Sequence, residues 1–70
     1  MLNKQDRTQY TFKVVDTESQ YDELAASEKE ARTHLATELL KQEGYNPNDG
    51  EFSRQLKNYS QNKLQLMFMR

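Results

Sequence analysis

The chain has no cysteine, so neither a disulfide framework nor a thiolate zinc or iron–sulfur site can hold it together. An oxidising compartment is not indicated. With two glycines in all there is no glycine-rich loop to cradle a phosphate. The single histidine, His34, has no second histidine or cysteine to join it as a metal ligand at helical or loop spacing. No apolar run approaches the roughly 18 residues that a membrane span requires, and MLNKQDRTQYTF at the start lacks the apolar centre of a secretory signal. The cytosol is the expected location, with no membrane partner. Seventy residues allow one core only, because a chain this short buries roughly 60% of its unfolded surface. The expected organisation is a frayed polar segment over residues 1–7 followed by a single domain over 8–70.

What remains is patterned. TQYTFKVV alternates, with Tyr10, Phe12 and Val14 on one face and Thr11, Lys13 and Val15 on the other, and the β-branched and aromatic enrichment predicts a strand. KLQLMFMR alternates likewise: Leu64, Leu66 and Phe68 against Gln65, Met67 and Met69. Ser27 followed by Glu30 is a capping box, and Gly44 is placed to end a helix in the left-handed conformation. At 100° per residue Ala31, Leu35, Ala36, Leu39 and Leu40 form the apolar half of that helix, while His34 and Glu38 lie on the polar half. A second helix brings Phe52, Leu56 and Tyr59 to one side. It starts either with Asn46 as cap and Pro47 in its first turn, or after a turn at Asn48-Asp49-Gly50. DTESQYDELAA reads as a polar turn at 16–19 and a return strand over Gln20 to Ala25, the alternative being one broken helix from residue 19.

The order is therefore β-β-α-α-β, a small two-layer α+β domain with helices on one face of a short sheet. Its expected core is Tyr10, Phe12, Val14, Leu35, Leu39, Phe52, Leu56, Leu64, Leu66 and Phe68. If the last strand lies beside the first, Val15, Met67 and Met69 fall on the face the helices leave open.

Catalysis is not expected. No nucleophile, base and orienting group stand in a recognisable order, and the adjacent acids Asp22-Glu23 and Glu28/Glu30 read as dipole complements rather than a general acid–base pair. No cofactor is implied. His34 reads as an exposed helix residue one turn from Glu38.

Charge is segregated along the chain. Lys4, Arg7 and Lys13 against Asp6 give +2; ten acids from Asp16 to Glu51 against Lys29, Arg32 and Lys41 give −7; Arg54, Lys57, Lys63 and Arg70 give +4. Such a layout concerns partners and association rate rather than fold. The acidic block points to a basic protein partner, with Asp22, Glu23, Glu30 and Arg32 as candidate contact residues; Arg32, inside the apolar half of its helix, either snorkels along the core edge or joins the partner surface. The alternative is nucleic-acid binding through Arg54, Lys57, Tyr59 and Lys63, where cations meet phosphates and an aromatic ring stacks on a base. A homodimer through the exposed edge of the last strand is a third reading.

YTFKVV followed by A-A-S-x-x-E-A-R-x-x-x-A, from Tyr10 to Ala36, resembles the opening of small phage and mobile-element proteins, some anti-CRISPR proteins among them. The resemblance covers roughly the first half of the chain and carries over no functional residue. It implies a class of role: a small non-catalytic protein that occludes or locks a larger host machine through an acidic or mixed-charge surface.

Overall fold

In a computed structural model that describes residues 7–69, the chain is an α+β domain in the order β-β-α-α-β. Strands β1 (Thr8–Val14) and β2 (Gln20–Ala25) are followed by helices α1 (Glu28–Gln42) and α2 (Gly50–Asn58), a π-helical turn (Tyr59–Lys63) and strand β3 (Leu64–Met69). Apart from Arg7, the N-terminal segment expected to fray lies outside the described residues. The sheet is antiparallel with order β2-β1-β3, so β1 is central and the other two strands are edges.

The β1–β2 turn is polar, as its composition requires. Asp16 takes the left-handed conformation at φ 70°, which short polar side chains tolerate, and Thr17 closes the turn with its hydroxyl on the Val14 carbonyl at 2.8 Å. The return strand is paired residue for residue, Phe12 opposite Tyr21 and Tyr10 opposite Glu23.

Helix α1 is fixed at both ends. The Ser27 hydroxyl accepts from the Glu30 amide at 3.2 Å, and the Glu30 carboxylate accepts from the Ala26 amide at 2.9 Å, one residue before the cap itself. At the other end Gly44, at φ 98°, donates to Lys41 O at 3.0 Å while Tyr45 donates to Leu40 O at 3.1 Å. That pair of bonds is the Schellman closure, and it needs the left-handed residue that glycine supplies. The second helix takes the later of its two possible starts. Asn46 Oδ1 instead accepts from the Asn48 amide at 2.9 Å, closing a turn over Pro47, and Asp49 caps the helix by accepting from the Glu51 amide at 3.3 Å.

One face of β1 meets α1. Tyr10, Phe12, Ala25, Ala31, Leu35, Ala36, Leu39 and Leu64 form the core, with Val14, Tyr21, Leu56, Tyr59 and Leu66 packed half-buried against it; Phe52 is buried as well. Phe68 is not in this core. Between β1 and β3 the register slips: Phe12 faces Leu66, but Thr11 faces Phe68 and Tyr10 faces Met69, leaving Met67 as an extra residue on β3. Such a bulge exchanges the faces of everything beyond it. Phe68 accordingly shares the open face with Thr11 and is 47% exposed, while Met69 falls opposite the core residue Tyr10 and stays exposed at the strand's end. Val15 lies past the end of β1, half-buried, its amide on Lys63 O at 2.8 Å.

Phe12 has no exposed surface, so Phe12→Ala is expected to cost about 3–5 kcal/mol, comparable to the stability of so small a domain. Phe68→Ser, on the open face, is expected to cost far less. Chemical denaturation of both variants checks the exchange of faces; equal losses would place Phe68 back in the core.

Candidate partner-binding surface

The four residues expected at an acidic contact surface do not converge. Asp22 and Glu23 are neighbours on an edge strand, so they face opposite sides of the sheet. Asp22, on the open side, accepts a hydrogen bond from the Thr11 hydroxyl at 2.6 Å. Thr11 is thereby satisfied although it is only 4% exposed in the centre of the sheet. Glu23 lies on the helix side, in an open depression of about 450 Å³ lined by His34, Thr37 and Glu38 of α1. Glu30 is occupied as the capping residue.

Arg32 is engaged within the fold at the edge of the core, with its side chain 23% exposed. Its Nε donates to Glu28 at 2.7 Å one turn earlier. One Nη donates to two backbone carbonyls, Ser60 at 3.0 Å and Leu64 at 2.8 Å. The guanidinium carbon lies 5.2 Å from the centroid of the Phe12 ring, within cation–π range. The head is tied to the backbone of the π turn and β3 at the rim of the core, with part of the side chain still open to solvent.

What the fold brings together instead is Glu23, His34 and Glu38. The Glu23 carboxyl is held above its ordinary range, first because it is partly withdrawn from water; His34 opposes that shift and the Glu38 carboxylate adds to it. Glu23 of β2 and Glu38 of α1 thus share one depression with His34, while Asp22 stands on the other face of the sheet. The sequence showed His34 beside Glu38 but not Glu23 beside both. The signal was in the strand alternation, which sends Glu23 to the same side as Tyr21 and Ala25. Among the described residues, no group of three or more His, Asp or Glu side chains is arranged to hold a metal ion.

The residues of the nucleic-acid alternative lie on α2 and the π turn that follows it. Arg54 is paired with Glu51 at 3.1 Å on the same exposed helix. Tyr59 packs against the core, and its phenol is pushed above the ordinary value by burial, then by Glu43 and Tyr21. That ring is not displayed as a stacking platform. Lys57 and Lys63 are exposed.

The chain matches no protein family, no curated protein and no solved structure.

Two outcomes follow from this geometry. Arg32→Met keeps the stem but leaves two carbonyls without their donor, with an expected loss of about 1–3 kcal/mol. Arg32→Lys should recover only part of it, because one ammonium cannot reproduce the planar donor set or its stacking; full recovery in denaturant titrations would show that charge alone matters. For Glu23, a carboxyl raised in the folded state makes stability fall as pH climbs from the unfolded carboxylate range through the raised value. Glu23→Gln should therefore melt higher than the parent at neutral pH, and the two should converge below about pH 4. A gap that persists in acid would mean that the substitution acts through packing.

Proposed function

We propose that the chain is a non-enzymatic protein-interaction module whose acidic flank engages a basic surface on a larger nucleic-acid-handling complex and modulates or inhibits it. The observation that carries this reading is the polarity of the sheet. Edge strand β2 supplies Asp22 and Glu23, and α1 sets Glu38 beside it; the exposed cations Lys57 and Lys63 belong to the segment that leads into the opposite edge, β3. Asp22, Glu23 and Glu38 lie in or beside one edge strand of the sheet, and Lys63 stands directly before the strand at the other edge. Surfaces that hold phosphates are built from lysine and arginine, and an acidic flank is complementary to them, giving faster encounter and selection against acidic partners. The depressions on the described surface are open, which suits a contact face better than enclosed chemistry.

The test is equilibrium and kinetic binding to a partner captured from nuclease-treated lysate and then purified. The Asp22→Lys/Glu38→Lys variant should lower the association rate and flatten its salt dependence, whereas Arg54→Gln/Lys57→Gln/Lys63→Gln should change little. Capture abolished by nuclease, together with tight binding of short DNA or RNA whose salt slope shrinks by up to about three in the glutamine variant, would replace this reading with nucleic-acid binding.

A further inference from the structure

The two sheet edges are not equivalent. β2 carries Asp22 and Glu23 at its middle, and charges so placed guard an edge against adding another strand. β3 reads LQLMFM from Leu64 to Met69, without a charge or a proline. Five large hydrophobic residues are notably exposed among the described ones, and three of them, Met67, Phe68 and Met69, are consecutive on this strand at 42%, 47% and 60%. The bulge at Met67 turns Phe68 to the open face and Met69 to the other. An added strand would therefore find apolar side chains on both faces of this edge.

Three edge pairings are available to two copies. An antiparallel β2–β2 pair about a twofold axis near the middle of the strand sets Asp22 opposite Asp22, or Glu23 opposite Glu23, of the other copy, and like charges in that position destabilise a ladder. A β2–β3 pair lays the same acids along the apolar edge, and being head-to-tail it leaves further edges open. A β3–β3 pair has no charge within the strand and is its own complement.

The geometry points to a twofold homodimer in which β3 pairs antiparallel with β3 of a second copy. Its sheet is six-stranded, in the order β2-β1-β3-β3-β1-β2. Both outer edges are then acid-guarded β2 strands, so assembly stops at two. The chain leading into the strand is basic in sequence, with Arg54, Lys57 and Lys63 before it, so bringing two copies of it together sets like charges against each other. Dimerisation should consequently strengthen with added salt, opposite to contact between the acidic flank and a basic partner. No partner enters the measurement, so the dimer and the acidic-flank reading fail independently.

Sedimentation equilibrium of the full chain, from micromolar to near-millimolar at low and high salt, tests this. The expected result is a monomer–dimer equilibrium with nothing larger, shifted toward dimer by salt. Met67→Lys or Gln65→Lys should weaken it at least tenfold, with circular dichroism unchanged, while Leu24→Lys on the other edge leaves it intact. Because the chain has no cysteine, single-cysteine variants add a readout that needs no disruptive charge: Met67→Cys should cross-link on mild oxidation and Leu24→Cys should not. A monomer throughout the range, a dimer weakened by Leu24→Lys but not by Met67→Lys, growth beyond two copies, or faster cross-linking at position 24 would each overturn the assignment.

Discussion

The guanidinium of Arg32 is where the two halves of this molecule meet. The first half is a hairpin and a helix, linked by local chemistry: a turn, a cap, an apolar helix stripe. The second half is attached through α2, the π turn and the start of β3. Arg32 spans the two, reaching from α1 across the ring of Phe12 to the carbonyls of Ser60 and Leu64. Carbonyls at the end of a helical segment carry partial negative charge and lack intrahelical partners, so a cation with several donors answers both needs. The π turn delivers Ser60 and Leu64 to the same nitrogen. The placement of β3 beside β1 follows from this junction as well as from the sheet ladder.

Most of the framework was legible because the signals were local. Period two gave β1, Ser27 and Gly44 bounded α1, and Asp49-Gly50 marked one of the two possible starts for α2. The register of β3 was not, since LQLMFM alternates smoothly and nothing in it announces that Met67 will be passed over. That one residue moved Phe68 out of the core and Met69 off the open face. The π turn was likewise invisible, as YSQNK carries no distinguishing pattern. Arg32 was ambiguous in one dimension because its acceptors are backbone groups, which the sequence does not label.

The contact surface was less legible than the fold. Counting charges along the chain identified an acidic block, but proximity in sequence did not mean a shared face. Asp22 and Glu23 separate across the sheet, Glu30 is spent on a helix cap, and Glu38 enters through helix packing against β2. The alternation rule that assigned Tyr10 and Phe12 to the core also separates the two acids when applied to the return strand. Charge counting along the chain could not show which acids share a face; strand geometry put Asp22 and Glu23 on opposite sides of the sheet.

The central position of β1 also governs the order of events when the chain folds. Its pairing with β2 is reached through an adjacent turn, a closure on the microsecond scale, yet a lone two-stranded hairpin is marginal in water. Its pairing with β3 joins segments near opposite ends of the described chain, and contacts of such long sequence separation slow the search. The hairpin and α1 can flicker into place early, but Phe12 gains its second ladder only when the last strand arrives. Closure of the β1–β3 ladder is therefore expected to be the slow step of folding, with the uncharged strand LQLMFM unpaired until it forms.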